Sequence, residues 1–356
     1  MKKLIILLLF IGTVGFAEAQ KPIVSTVNPR TDQPNRTRET AETIYNEAVA
    51  LLERGEFQEA KVKLTRAITM RPRFEQAFTN RATIKLEMND YKGAIEDYNA
   101  ALAIRPSASA FLGRGKAKYA LGDKAGAMAD YTSAIQQDDK FAQAYYYRGG
   151  IHFEQNDMRA AIEDYDKAII HKPDYIFAFN DRANAHKVLG NLEAAMEDYT
   201  KAIALDENSI DFAFNNRGNL QRNLGNYTSA VEDFTAAIKV NPDYYQAYNN
   251  RGLARIDAGD FTGAIADFTA ALRIRADYHF ALNNRGNARF KMQDYHAAIE
   301  DYNTAISVFP NYGYAFLNRG VAREMLRDVN GAKSDYEQAK ALGVEIAADY
   351  LREMSY

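Results

Sequence analysis

Asp211 to Pro242 reads D-F-A-F-N-N-R-G-N-L-Q-R-N-L-G-N-Y-T-S-A-V-E-D-F-T-A-A-I-K-V-N-P. In its second half Tyr227, Ala230, Val231, Phe234, Ala237 and Ile238 fall three and four residues apart, the stripe of an amphipathic helix that Pro242 closes. Leu224-Gly225-Asn226 ahead of it is a turn signal. Before the turn, Ala213, Phe214, Gly218 and Gln221 keep the same spacing, so the stretch predicts two short antiparallel helices. Neither has enough apolar face to be stable alone.

The stretch recurs along the chain. Alanine matching Ala230 stands at Ala60, Ala94, Ala127, Ala161, Ala195, Ala264, Ala298 and Ala332, in steps of 33 to 35 residues, which makes nine repeats. Alanine matching Ala237 recurs at Ala67, Ala101, Ala134, Ala168, Ala202, Ala271, Ala305 and Ala339. Period, helix-turn-helix content and the A-x3-[FY]-x2-A pattern followed by proline resemble the tetratricopeptide repeat over residues 41–344. The resemblance implies an all-α, right-handed α-solenoid of about nine helix pairs that serves as a protein-interaction scaffold. A capping helix is expected over residues 345–356, where Tyr350 takes the place of each repeat's early aromatic residue. The chain departs from the family in having no Trp; Phe78, Phe111, Tyr145, Phe179, Phe214, Tyr248 and Phe316 stand at that place. It also carries arginine where the family has leucine.

Those arginines, Arg81, Arg114, Arg148, Arg182, Arg217, Arg251, Arg285 and Arg319, each precede an aspartate by 16 residues: Asp97, Asp130, Asp164, Asp198, Asp233, Asp267, Asp301 and Asp335. In antiparallel helices turning near Gly225, Arg217 and Asp233 lie at equal distances from the turn and come opposite each other. The first repeat has Glu47 and Lys63 instead, both charges exchanged together. The spacing therefore predicts intra-repeat ion pairs, among them Arg81 with Asp97, Arg217 with Asp233, Arg251 with Asp267 and Arg285 with Asp301.

Asparagine accumulates on the first helices. Asn46, Asn80, Asn216, Asn250, Asn284 and Asn318 stand just before the arginine; Asn180, Asn215, Asn249 and Asn283 one place earlier; Asn184, Asn219 and Asn287 three places after. Asparagine costs up to about 0.7 kcal/mol against alanine in a helix, so the ladder needs a reason. One reading is a groove in which these carboxamides bond the backbone of an extended peptide. The other is that they bond one another across adjacent helices. A glycan or other small extended ligand is the alternative occupant, with Phe177, Phe212, Phe280 and Tyr314 stacking on sugar faces. Related repeats hold carboxylate termini through groove lysines, which are absent here apart from Lys116.

No catalytic set stands out, and an enzyme with an unrecognised site is the remote alternative. Zero Cys and five scattered His supply no metal-ligand spacing, and no cofactor is implied. The paired acids, such as Glu232-Asp233, recur with the repeat and read as structure. With 44 basic and 47 acidic residues interspersed, nucleic acid is disfavoured and a protein or peptide is the expected partner. At the start, Lys2 and Lys3 precede the apolar Leu4 to Ala17, and Ala17-Glu18-Ala19 resembles a cleavage site. Residues 1–19 read as a signal peptide, too short to span a bilayer, and residues 20–40 as a flexible arm. Export to the periplasm or beyond is the expectation.

Overall fold

The computed structural model describes residues 39–354, and among them the only regular elements are 19 helices. They are α1 (Ala41–Glu53), α2 (Phe57–Met70), α3 (Glu75–Glu87), α4 (Tyr91–Ile104), α5 (Ala108–Ala120), α6 (Lys124–Gln137), α7 (Ala142–Glu154), α8 (Met158–His171), α9 (Ile176–Val188) and α10 (Leu192–Leu205). There follow α11 (Asp211–Asn223), α12 (Tyr227–Val240), α13 (Tyr245–Asp257), α14 (Phe261–Ile274), α15 (His279–Lys291), α16 (Tyr295–Val308), α17 (Gly313–Met325), α18 (Val329–Ala341) and the short α19 (Ala347–Glu353). The signal expected over residues 1–19 and all but the last two residues of the arm expected over 20–40 lie outside the described residues; Thr40 is the N-cap of α1. The chain divides between Ala195 and Met196, inside α10, into two compact units. From α1 to α9 in one unit and from α11 to α19 in the other, each helix packs on the next, first helix on second and second on the first helix of the following repeat.

The reason lies in the small residues. Ala60, Ala94, Ala127, Ala161, Ala230, Ala264, Ala298 and Ala332 are all 0% exposed, so the second helices approach their neighbours to backbone contact at that level. One turn on, Tyr98, Tyr131, Tyr165, Phe234, Phe268, Tyr302 and Tyr336 are buried. Each contributes about 2 to 3 kcal/mol of apolar burial, which the α-helices could not obtain singly. The ring needs room: a Cβ on Gly286 would lie 2.5 Å from Cε1 of Tyr302. Asp90, Asp123, Asp157, Asp260, Asp294 and Asp328 cap the second helices, each accepting from the backbone N–H three residues on.

α19 covers the last repeat, its Tyr350 ring 5.0 Å from Tyr336 and Ala347 fully buried. It begins after Gly343, whose φ of +84° ends α18.

The turn inside each repeat requires a left-handed residue. Gly225 and Gly259 supply it with φ of +82° and +85°, whereas Gln293 and Arg327 adopt +65° and +63° with a side chain. An L-residue there costs about 1 to 2 kcal/mol relative to the right-handed region. Gln293→Gly and Arg327→Gly should each stabilise the fold by about 1 kcal/mol, and Gly225→Ala should destabilise it by a similar amount. Thermal unfolding midpoints of the three variants check this; a fall with either glycine would contradict it.

Candidate functional site

Seven arginines of the first helices each tie three helices together, and Arg182 reaches Asp166 on the preceding helix. Arg217 donates from Nε and Nη2 to the Asp233 carboxylate at 2.9 and 2.6 Å, joining α11 to α12. Its Nη1 reaches back to Thr200 Oγ1 on α10 at 3.2 Å, and its guanidinium lies over the Phe214 ring. Arg251 repeats the arrangement with Asp267 and Thr235, Arg285 with Asp301 and Thr269, and Arg319 with Asp335 and Asn303. In the first unit Arg81 joins Asp97 and Thr65, Arg114 joins Asp130 and Asn99, and Arg148 joins Asp164 and Thr132. The carboxylates are buried and the geometry is bidentate, the strong form of the interaction.

The sequence reading missed two of these ties. The third partner was visible as small polar residues two places after each aspartate. The second cation on the aspartate was also visible, four places after the arginine: Lys85 on Asp97, Lys118 on Asp130, Arg255 on Asp267, Arg289 on Asp301 and Arg323 on Asp335, all at 2.7 to 2.9 Å. Glu47 and Lys63 form the reversed pair of the first repeat, both partly exposed. Among the described residues no helix pair precedes this one, so an arginine here would have no hydroxyl or amide of an earlier repeat to reach.

The ladder has its own register. Asn250 Nδ2 donates to Asn215 Oδ1, Asn284 to Asn249 and Asn318 to Asn283, each at 3.0 Å and 35 residues apart. The same offset joins Asn80 Nδ2 to the Tyr45 hydroxyl at 3.0 Å, and the Tyr146 hydroxyl to Asp181 Oδ2 at 2.9 Å. In these five pairs the residue before the arginine bonds to the one two places before the corresponding position of the preceding repeat. Asn180, Asn215, Asn249, Asn283, Asn284, Asn287 and Asn318 are buried, whereas Asn184, Asn216, Asn219 and Asn250 are half-buried. Asn180 and Asn184 belong to the first unit and the others to the second. Each cross-repeat bond uses one N–H and one lone pair, so a carboxamide keeps a further donor and acceptor. Three buried ladder atoms are without a partner: Asn46 Oδ1, Asn287 Nδ2 and Asn318 Oδ1. Asn287 Oδ1 accepts from the Tyr302 hydroxyl at 2.8 Å.

Asp181 stands where the other repeats place asparagine. It is 5% exposed, hydrogen-bonded by Tyr146, Asn180 and Asn184, and no cation pairs with it among the described residues. Burial pushes its carboxyl up to about 6, although those three hydrogen bonds oppose the shift. The acidic doublets divide: Glu96, Glu163, Glu232 and Glu300 are exposed, while the following aspartates are buried on arginine. No group of three His, Cys, Asp or Glu able to hold a metal occurs among the described residues, and no helix there is long and apolar enough to cross a membrane.

Family models described as "Tetratricopeptide repeat" match residues 45–109, 112–176 and 215–279, and residues 176–209 and 279–312. Among solved structures, a tetratricopeptide repeat protein from Parabacteroides merdae is 18% identical, with a TM-score of 0.55 over 70% of this chain and 99% of that one. Part of a repeat-containing protein from Cytophaga hutchinsonii is 18% identical, with a TM-score of 0.54 over 67% and 98%. Pseudomonas aeruginosa pilF is 20% identical, with a TM-score of 0.52 over 60% and 98%. No curated protein matches the chain.

Two predictions follow from the charges. Asp267 keeps Arg255 when Arg251 is removed, but Asp233 has Gln221 at that place, its amide engaged by Met196 Sδ and Asn226. Arg217→Ala should therefore cost about 3 to 5 kcal/mol and Arg251→Ala distinctly less; equal losses in urea unfolding would refute the second-cation account. Asp181→Asn recreates the Asn80 arrangement. Because the folded carboxyl titrates above its unfolded value of about 3.9, its protonation favours folding, and stability is lost as pH rises through about 6. The variant should exceed wild type by about 2 kcal/mol at pH 7.5, the gap closing toward pH 4. A pH-independent difference would show that the carboxyl does not titrate in the folded chain.

Proposed function

Because the chain belongs to the tetratricopeptide repeat family, whose domains bind protein or peptide partners, we propose that it is a non-catalytic scaffold holding an extended segment of a partner protein along the first helices of the second unit. The observation that carries this reading is the residual bonding capacity of the ladder. Asn250, half-buried, gives one N–H to Asn215 and accepts from Asn249, and its carboxamide keeps a second N–H and a second lone pair. A peptide backbone offers the complementary C=O and N–H without regard to its side chains. Phe280 lies seven residues before Asn287 and Tyr314 four before Asn318, on the same helix faces and half-buried. They supply apolar contact for alternate side chains of the segment.

The buried amides hold the first helices in register, and the half-buried Asn216, Asn219 and Asn250 are the ones a ligand meets first. Helices about 8 to 10 Å apart and a strand rising about 3.4 Å per residue give roughly three residues per repeat. The four repeats of the second unit then take a segment of about twelve. The same proposal includes export: residues 1–19 are removed and the mature protein begins near Gln20, which amino-terminal sequencing reads directly.

Twelve-residue peptides selected from a random library on the full chain test the site. Phe280→Ala combined with Asn250→Ala should weaken the selected peptides at least tenfold while the melting temperature falls by only a few degrees. Glu232→Ala, on the exposed side of α12, should leave them unchanged. Peptides that bind the double variant as tightly as wild type would place the site elsewhere.

A further inference from the structure

In two repeats the buried tyrosine of the second helix finds a partner 15 residues earlier on the first. Tyr98 meets Thr83 Oγ1 at 3.0 Å, and Tyr302 meets Asn287 Oδ1 at 2.8 Å. Where that place is apolar the sequence adjusts. Leu253 is matched by Phe268, which has no hydroxyl, and Tyr336, facing Val321, turns its hydroxyl to Glu324 at 2.8 Å. The fourth repeat does neither. Its tyrosine is Tyr165, the place 15 residues earlier is Gly150, and Phe153 stands where Glu324 does. The Tyr165 hydroxyl is fully buried and has no partner.

Asp181 belongs to the same neighbourhood. Tyr146 stacks 5.9 Å from the Tyr165 ring and donates to the Asp181 carboxylate. Asp97, Asp130, Asp164 and Glu75 in this unit each meet an arginine, and Asp181 meets none. One repeat earlier on the same face, Lys116 holds its ammonium over the Tyr147 ring at 4.0 Å. A fully buried hydroxyl without a partner, a buried carboxylate without a counter-charge and a missing side chain therefore come together where the fourth repeat meets the fifth.

We propose that the junction of the fourth and fifth repeats contains a subsite for a primary ammonium group, with Asp181 as counter-charge and the Tyr165 hydroxyl as second partner, beside Gly150, where the chain carries no side chain. An ammonium has three donors on a narrow stem, which suits one carboxylate and one hydroxyl. A guanidinium brings five donors in a wide plane and would leave several unpaired. The attraction between opposite charges is strong where water is excluded, and the tyrosine rings add cation–π stabilisation. As a lysine or amino-terminal anchor for a bound segment the subsite rests on the peptide reading above, but its chemistry can be tested without any peptide.

The probe is n-butylammonium, titrated into the full-length chain at constant ionic strength, with n-butanol as the uncharged control. Calorimetry and thermal shift should show saturable binding of the ammonium at least tenfold tighter than of the alcohol. Two variants fill or discharge the subsite without removing a packing side chain. Gly150→Thr supplies Tyr165 with the hydroxyl that Thr83 gives Tyr98, and Asp181→Asn removes the charge. Both should fold with melting temperatures at or above wild type and lose the ammonium response. No saturable difference between amine and alcohol, or an unchanged response in both variants, overturns the subsite. That outcome leaves the peptide reading untouched, since Phe280 and Asn250 test it in the other unit.

Discussion

The arginine of the first helix is the interaction on which the repeat stack depends. One guanidinium has five donors in a fixed plane. Here Nε and Nη2 grip the aspartate of the arginine's own repeat, and Nη1 takes a hydroxyl or amide from the repeat before. The aromatic residue three places earlier supports the cation from one side. A leucine at that place would pack, but it would not distinguish one register of stacked helices from another. The arginine does so through geometry, because only one sliding position brings both partners within reach. A buried aspartate is a costly group, and two cations in several repeats show how fully that cost is offset.

The amide ladder does similar work one residue away. Arginine links first helix to second, whereas the ladder links first helix to first helix, with a constant offset of 35 residues. The pairs change chemistry along the chain, from amide and phenol to phenol and carboxylate to amide and amide, while the register stays. A polar seam that is internally bonded can lie beneath a binding face without being consumed by it, since a carboxamide has more capacity than one bond uses. Structural and recognition roles are therefore not exclusive at these positions. The buried members support, and the half-buried members are available.

Exceptions to the repeat carry the most information about function. Asp181 in place of asparagine and Gly150 in place of a side chain would each be a minor irregularity alone. Together with the unpartnered Tyr165 hydroxyl they mark one place where the fold leaves its own polar groups incomplete. The remaining irregularities have local explanations: Glu47 and Lys63 stand at the first repeat, and Val321 is answered by Glu324.

By itself the sequence determined the helix pairs, their number, their turns and the opposition of Arg217 to Asp233, because all of these follow from a period and from distance along the chain to a turn. It could also have yielded the second cations and the Thr235 and Asn303 contacts, which recur at fixed places. What it left open was the partner of each asparagine. A carboxamide at a given helical position can face a ligand, its own helix or a neighbour, and spacing within one repeat does not choose between them. Only the stacking of one repeat on the next decided it, by setting Asn250 against Asn215 and Asn284 against Asn249. The same holds for Tyr165 and Asp181: their types are plain in the sequence, but whether a buried polar group is satisfied depends on which atoms packing brings within about 3 Å.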